Sequence, residues 1–237
     1  MTEYRPKDHL WHTGLFLGWV HVNEANLWGG GRYVPEVGEY REQPDTHGRQ
    51  VHERFEEIIV DAHVARVREA LTWVGPDRAS LATEVRVFVF RELPDRPGTF
   101  WTIDSRISSS VERLVLGASR AAHYSGLVLR TGPPFSDAAH RNSEGAVGHE
   151  AVMGSRAPWC CACGAGGGAV AMFDHPSNPR HPTRWFARRN LLGPALLWDG
   201  DMELRRGAVL QLRYGFGLFD DDPGDTALEA LFRLFAS

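Results

Sequence analysis

The sequence lacks several features that would place it in a specialised class. It contains a single lysine, Lys7, and no apolar run reaches the roughly 18 residues that a membrane-spanning helix requires. The first residues also lack the apolar core of a secretory signal peptide. These absences predict a cytoplasmic protein that has no membrane partner.

The net charge is small, and cysteine is scarce. The 30 acidic and 26 basic residues give a net charge of −4, and no segment concentrates arginine as a surface that follows a phosphate backbone would require. We therefore expect no nucleic-acid partner. The three cysteines, Cys160, Cys161 and Cys163, are too close together for a disulfide framework, which fits a reducing compartment.

Two short motifs carry less information than their letters suggest. Residues 160–163 contain Cys-x-x-Cys, but a glycine-rich segment follows where a thioredoxin-like site needs a helix. Residues 164–169 (GAGGGA) match a dinucleotide-binding pattern, but Pro176 ends the next segment before a helix can form. The better interpretation is a glycine-rich turn between two strands, and no nicotinamide cofactor is predicted.

The chain is long enough for one packed domain, which we place over residues 1–237. Apolar and polar residues alternate with a period of two, as strands require, over residues 66–73, 84–91, 101–107 and 210–218, and the apolar segments 127–130 and 169–173 are predicted as further strands. Residues 226–235 have helical spacing, with Thr226 and Glu229 as a capping box. The pattern predicts an all-β antiparallel sandwich with a short carboxy-terminal helix and long irregular connections over residues 28–52, 132–148 and 173–193.

The candidate catalytic residues come from two polar clusters that contain several of the eleven histidines. His9, His12 and His21 lie near the start of the chain, and Asp174, His175 and His181 lie in the last long connection. Imidazole titrates near neutral pH and transfers protons readily. We predict His12 and His175 as an acid–base pair, with Asp174 orienting an imidazole.

The candidate substrate-binding residues combine aromatic rings with hydrogen-bonding groups. Indole rings stack on the apolar face of a sugar, while amide, imidazole and guanidinium groups bind its hydroxyls. This mixture predicts a small-molecule carbohydrate as the ligand. The residues assigned to it are His9, His21, Asn23, Trp28, Arg156, Trp159, Asn178, His181 and Trp185.

Metal binding has a weaker basis in the sequence. The spacings of His9 with His12 and of His175 with His181 differ from the helical His-Glu-x-x-His pattern of zinc enzymes. We therefore assign no metal ligands and predict no cofactor. A divalent metal held by three histidines and a carboxylate such as Asp174 stays open as an alternative.

The combined motifs resemble a known bacterial family. They are residues 8–15 (DHLWHTGL), 21–30 (HVNEANLWGG), 156–159 (RAPW) and 173–185 (FDHPSNPRHPTRW). Together they are similar to the family known as PmoA-like, or methane oxygenase PmoA-like, a domain of unknown function, over essentially the whole chain. The methane-oxygenase name implies no activity here, because the membrane subunit of that enzyme spans the bilayer and this sequence has no spanning segment.

The resemblance implies a β-sandwich similar to galactose mutarotase and a role in carbohydrate processing, often encoded near sugar oxidoreductases. The catalytic motifs of the mutarotases are absent from this sequence, so mutarotation itself is not implied. Relatives usually carry further strands before the motif at residues 8–15. Loss of those strands would leave a sheet edge unpaired and favour a homodimer.

Three functions are compatible with these residues. The first is an epimerase- or lyase-like enzyme that acts on a sugar or oxidised sugar by histidine proton transfer. The second is a carbohydrate-binding protein without turnover, in which the histidines donate hydrogen bonds. The third is a metal-dependent oxygenase or lyase with a histidine-rich site.

Overall fold

The computed structural model describes residues 2–7, 9–93, 98–119 and 123–237, and most of these residues lie in strands. The strands are β1 (Leu15–Gly18), β2 (His21–Val22), β3 (Arg32–Val34), β4 (Glu39–Arg41), β5 (Arg49–Val60), β6 (Val64–Val74), β7 (Ser80–Glu92), β8 (Gly98–Ser109), β9 (Arg113–Gly117), β10 (Gly126–Arg130), β11 (Ala139–Asn142), β12 (Trp159–Cys163), β13 (Ala169–Asp174), β14 (Trp185–Arg188), β15 (Leu191–Pro194), β16 (Met202–Arg205) and β17 (Val209–Phe219). The helices are α1 (His149–Val152), α2 (Asp225–Ala236) and two short 3₁₀ turns (Pro44–Thr46 and Pro133–Phe135). No described helix has both the length and the apolar character needed to cross a membrane.

The strands form one large sheet and three small ones, and their pairing is antiparallel. The large sheet has the order β11-β12-β13-β17-β8-β7-β6-β5. A four-stranded sheet has the order β1-β10-β15-β14, a three-stranded sheet has the order β16-β9-β2, and β3 pairs with β4. Because neighbouring strands are joined mostly by turns and loops, the antiparallel pairing expected from the sequence follows directly.

The main core lies between the large sheet and the two smaller sheets. Met172 and Phe216 of the large sheet, Leu129 and Trp185 of the four-stranded sheet, and Leu116 of the three-stranded sheet belong to one buried cluster. Side chains alternate between the two faces of a strand, so each sheet contributes every second residue to this layer. The all-β sandwich predicted from the sequence is confirmed.

The helix α2 covers part of the other face of the large sheet. Leu228 and Phe235 of the helix pack with Phe173 and Cys161 of the sheet in a second buried cluster. The predicted helix is confirmed, but the predicted capping box is wrong. The residue before the helix is Gly224, and no side chain caps the first turn.

The long strands were predicted accurately from the sequence pattern, and the segments between them less accurately. Each predicted strand lies within an observed one. The glycine-rich segment is a turn between β12 and β13, in which the amide of Gly164 donates to the carbonyl of Gly168. The three long connections are not wholly irregular, because they contain short strands that the alternation was too brief to indicate. Residues 94–97, which contain two prolines and separate the predicted strands at 84–91 and 101–107, lie outside the described residues.

The strand β5 ends the large sheet with one edge unpaired among the described strands. Phe55 and Ile58 on this strand are exposed, which is a feature that can support association through a sheet edge. The register of β5 against β6 also shifts near His52 and Phe55. Such bulges oppose edge-to-edge pairing, so dimerisation stays a prediction.

A buried ionic cluster joins three central strands of the large sheet. The side chain of Glu84 is fully buried, and its carboxylate accepts hydrogen bonds from Trp73 Nε1 at 2.8 Å and Ser105 Oγ at 2.7 Å. Arg86 donates to both carboxylate oxygens of Glu84 at 2.8 Å. The carboxylate therefore satisfies donors from β6, β7 and β8 together.

We expect Glu84→Ala to lower the free energy of unfolding by about 3–5 kcal/mol, because the substitution leaves two buried donors, on Trp73 and Ser105, without an acceptor and leaves Arg86 with only its longer contact to Glu69 and its hydrogen bond to Gln50. Urea unfolding followed by circular dichroism measures this. The matched control is Glu203→Ala, which removes the exposed ion pair with Arg113 and should cost less than about 1 kcal/mol. Equal losses in the two variants would contradict the importance of the buried cluster.

Candidate functional site

A cavity of about 550 Å³ lies on the face of the four-stranded sheet that points away from the core. Its floor contains Phe16 of β1, Val128 of β10 and Phe186 of β14. Phe16 and Val128 are direct partners in the sheet, and Phe186 is the partner of Gly193 on β15. Since the residues on either side of them face the core, these apolar side chains must face outward.

Aromatic side chains from three loops form the wall of the cavity. The ring of Trp28 lies 5.4 Å from the ring of Trp11 and 5.0 Å from the ring of Tyr124. Tyr124 in turn lies 5.5 Å from Phe186 on the floor. The result is a continuous aromatic surface that joins the loop before β1, the loop after β2 and the loop before β10.

The loop that carries Trp28 is held by an asparagine and needs a glycine. Asn26 is fully buried, donates to the carbonyl of Gly30 at 2.7 Å and accepts from the amide of Trp28 at 2.9 Å. A Cβ atom on Gly30 would lie 2.4 Å from the ring of Trp28 and 2.5 Å from the ring of Trp11. Only glycine fits between the two indoles at this position.

Two histidines stack at one side of the cavity. The ring of His12 lies 4.6 Å from the ring of His9 and 4.7 Å from the ring of Phe16, and both contacts are stacked. His12 is 3% exposed. Both histidines line the cavity, as does the carboxylate side chain of Glu42. The structure therefore brings proton-active groups together with aromatic rings in one concave site.

Three buried polar atoms on residues that line this cavity make no hydrogen bond within the described residues. They are Trp11 Nε1, Trp28 Nε1 and Tyr124 Oη. Burial raises the pKa of Tyr124 well above its ordinary value, so its hydroxyl stays protonated and can donate. Buried donors nearly always have a partner in folded proteins, and because these three are closed to solvent here, a ligand in the cavity would reach them only after their side chains rotate.

The second cluster of candidate residues forms a separate polar network. Asp174 is 1% exposed, and its carboxylate accepts from Asn178 Nδ2 at 2.7 Å, from His181 Nδ1 at 2.9 Å and from the amide of Thr183 at 2.9 Å. Asn178 also bonds to the backbone of Arg213 on β17. Asp174 thus orients His181 and closes the loop that follows β13.

His175 has both ring nitrogens engaged in this second cluster. Its Nε2 atom accepts from Arg213 at 3.0 Å, because a guanidinium can only donate, and its Nδ1 atom lies 2.7 Å from Ser177 Oγ. Burial, followed by the charge of Arg213, lowers the pKa of His175, so the ring is neutral at neutral pH. The ring packs against Phe235 of α2, on the side of the large sheet away from the main core.

The structure therefore does not bring His12 and His175 together. His12 lines the cavity on the four-stranded sheet, whereas His175 contacts β17 and α2 across the sandwich. The two clusters are far apart in the chain, and their shared polar character in the sequence does not indicate which sheet each one joins. Their pairing as an acid–base couple finds no geometric support.

Several other candidate residues hold the scaffold. Trp185 is fully buried in the main core and donates from Nε1 to the carbonyl of Ala157 at 2.8 Å. Trp159 is buried beneath α2 and donates to Glu229 at 2.8 Å. Arg156 bonds to Asp199 and to loop carbonyls. None of these three side chains lines the cavity. The positions of Trp159 and Trp185 therefore give no support to the stacking role predicted for them.

His21 and Asn23 lie at the three-stranded sheet. Asn23 adopts a positive φ of 49° and bonds through its side chain to the backbone of Arg113 and Val115, which fixes the turn after β2. Burial is the main cause that lowers the pKa of His21, which pairs with Gly117 of β9. Of the candidates from the sequence, the cavity contains His9, His12 and Trp28.

Much of the cavity was not predicted from the sequence. Phe16, Val128 and Phe186 of the floor, Tyr124 of the wall, and Arg130 and Arg188 were not among the candidate residues. One feature of the sequence could have indicated this site, because the short strand Trp185–Arg188 has three consecutive apolar residues, Trp185, Phe186 and Ala187. A strand that is apolar on both faces must be covered on both, which indicates a second layer or a ligand site.

A second cavity of about 680 Å³ lies on the outer face of the large sheet, near the end of α2. It contains several arginines, of which Arg66, Arg68 and Arg213 are paired with acidic side chains. His175 contacts this region through Arg213 and Phe235, which both line the second cavity. The cavity on the four-stranded sheet is the better candidate site, because it combines histidines, aromatic rings and buried donors without partners.

The described residues contain no group of three or more histidine, cysteine, aspartate or glutamate side chains arranged to hold a metal ion. Asp8, which precedes the two stacked histidines in the sequence, lies outside those residues. The divalent metal considered from the sequence therefore stays untested.

The cysteines lie on β12 and differ in their surroundings. Cys160 and Cys161 are buried. Burial raises the pKa of Cys160, and the contact with Cys163, followed by burial, raises the pKa of Cys161. Cys163 is only partly buried, accepts a hydrogen bond from Arg141 at 3.2 Å and lies 3.9 Å from the sulfur of Cys161. The contact with Cys161, followed by Arg141, lowers the pKa of Cys163 to about 7.

We expect iodoacetamide to alkylate Cys163 faster than the other two thiols, with a rate that rises through about pH 7 as the thiolate forms. Mass spectrometry of peptides from protein labelled at a series of pH values measures this. Arg141→Gln should move the midpoint upward, and Cys163→Ser should remove the fast phase. A midpoint near the ordinary thiol pKa of about 8.5 would contradict the arrangement of these groups.

Comparisons with known proteins place the chain in a family but assign no activity. A search of curated proteins finds no match. A family model described as "Family of unknown function (DUF6807)" matches residues 1–233, and this match does not support the finer PmoA label. Because the match covers nearly the whole chain, the protein belongs to the DUF6807 family of unknown function.

Proposed function

We propose that this protein binds a sugar or an oxidised sugar in the cavity on the four-stranded sheet and acts on it by proton transfer to His12. The observation that carries the proposal is the coincidence of stacked histidines, an aromatic wall and three buried donors without partners in one concave site. The activity class is epimerase- or lyase-like chemistry. The sandwich fold and the resemblance to galactose-mutarotase-like proteins support it by analogy only.

The size and lining of the cavity suit one sugar ring. Small-molecule sites commonly have volumes of about 300–1,000 Å³ and combine apolar walls with a few polar groups. The apolar face of a sugar ring would stack on Trp11, Trp28 or Phe16, which line the cavity. The unpartnered indole N–H groups and the hydroxyl of Tyr124 are closed to solvent in this structure, and they would donate to the sugar oxygens after small rotations of their side chains.

The chemistry requires two proton-active groups near the reacting atoms. Removal of a proton next to a carbonyl, or opening of a hemiacetal, needs one group that accepts a proton and one that donates it. In this proposal His12 is the first, and His9 or Glu42 replaces His175 as the second, because these side chains line the same cavity.

A carbohydrate-binding protein without turnover is the second candidate. It is favoured by the separation of His12 from His175, because that separation removes the acid–base pair that the sequence suggested. The same cavity and the same aromatic residues would then hold the ligand. The two candidates differ in a single outcome, which is the formation of product.

We expect His12→Gln to reduce turnover of a substrate sugar by about 100-fold or more, the usual contribution of a general acid or base. Proton NMR in D₂O, with aldoses, uronic acids and 3-keto-sugars, detects line broadening on binding and solvent exchange or product on turnover. His63→Gln is the matched control, since His63 is an exposed residue that does not line the cavity. Its spectra should match those of the unchanged protein.

Broadening without exchange or product in the unchanged protein would favour the binding protein over the enzyme. Silence across the panel would contradict both. The further variant His175→Gln tests the original pairing, because loss of turnover in a folded His175→Gln protein, with His12→Gln unaffected, would move the site to the second cluster. Circular dichroism establishes that each variant is folded.

A further inference from the structure

We infer that the ligand of this cavity carries a carboxylate, as uronates and aldonates do, and that Arg188 binds it. This inference rests on the proposed function, because it names the substrate class of the same site. Its basis is the register of the four-stranded sheet, the partners of the two arginines in the floor and the net charge of the lining.

The sheet places two arginines on the floor of the cavity. Arg130 of β10 is the partner of Leu191, and Leu191 is the partner of Arg188 on β14. Partners in a sheet point to the same face, so both guanidinium groups belong to the face that carries Val128 and Phe186. All of these residues line the cavity.

The two arginines differ in their partners. Arg130 is 5% exposed and forms an ion pair with Glu3, with its Nε atom 3.5 Å from the carboxylate. Arg188 is exposed, lies with its guanidinium carbon 5.6 Å from the centre of the Phe186 ring, and has no ion pair with any acidic side chain of the described residues. The charge of Arg188 is therefore the one that a ligand can neutralise.

The geometry around Arg188 suits a carboxylate. A guanidinium can pack its flat face against an aromatic ring while its N–H groups, which lie in the guanidinium plane, remain free to bind both oxygens of a carboxylate. Tyr40 and Tyr124 are close enough that the charge of Arg188 lowers the pKa of each hydroxyl, against the larger effect of burial that raises it. Both hydroxyls stay protonated, so neither adds a negative charge that would repel an anion at Arg188.

The charge of the lining favours one negative charge on the ligand. Among the described lining residues the arginines are Arg130 and Arg188, and the single acidic residue is Glu42. With Arg130 already paired to Glu3, one positive charge remains, which matches a monoanionic carboxylate better than a dianionic phosphate. Glu42 would repel the carboxylate and direct it to Arg188.

The test compares acids with neutral sugars by isothermal titration calorimetry on the full chain. The probes are glucuronate, galacturonate and gluconate, with glucose, galactose and the methyl ester of glucuronate as neutral partners and glucose 6-phosphate as a second anion. We expect at least one acid to bind about 10- to 100-fold more tightly than its neutral partner, the range for hydrogen bonds to a charged group. Higher salt should reduce the difference.

Two variants assign the preference to Arg188. Arg188→Gln should bring the acid to the affinity of its neutral partner, and Arg188→Lys should keep part of the preference because it keeps the charge. Arg189→Gln is the matched control, since it removes the same charge from the adjacent residue, whose side chain is exposed, pairs with Asp137 and does not line the cavity. It should leave the preference unchanged.

The outcomes separate this inference from the proposed function. Equal or tighter binding of the neutral sugars would overturn the inference and leave the sugar-binding proposal standing. Tighter binding of glucose 6-phosphate than of any carboxylate would also overturn it. Failure of every sugar to bind would overturn the proposed function itself.

Discussion

The four-stranded sheet has apolar side chains on both faces, and the candidate site exists because both faces must be covered. One face completes the main core through residues such as Leu129 and Trp185. The other carries Phe16, Val128 and Phe186, which cost free energy when exposed to water. The loops before β1, after β2 and before β10 cover this second face only in part, and the space they leave is the cavity.

The polar groups around Asp174 and those around Trp28 have different physical roles. Around Asp174 every strong acceptor has a donor, so the network stabilises a loop and leaves little capacity for a ligand. Around Trp28 the opposite holds, since three buried donors lack acceptors within the described residues. Unsatisfied buried groups lower stability. Their retention on residues that line a cavity is consistent with a site that binds a polar molecule.

The sequence predicted the parts of the structure that depend on local pattern. Alternation over residues 84–91 was enough to predict β7, and the turn at Gly164 followed from its glycines. Contacts between segments that are distant in the chain could not be predicted from local pattern. Nothing local indicates that His12 joins the four-stranded sheet while His175 packs against α2, because the order of strands in a sheet depends on the whole chain. Trp185 and Phe186 show the same limit, since neighbours on one strand face the core and the cavity respectively.

The most direct test of the account is a titration followed through the indole N–H signals in two-dimensional NMR, assigned by Trp→Phe variants. The account predicts that a bound sugar or sugar acid shifts the signals of Trp11 and Trp28, whose N–H groups lack partners. The signals of Trp73, Trp159 and Trp185 should stay fixed, because those groups already donate to Glu84, Glu229 and Ala157. Shifts confined to Trp159, beneath α2, would contradict the account and place the ligand on the other side of the sandwich.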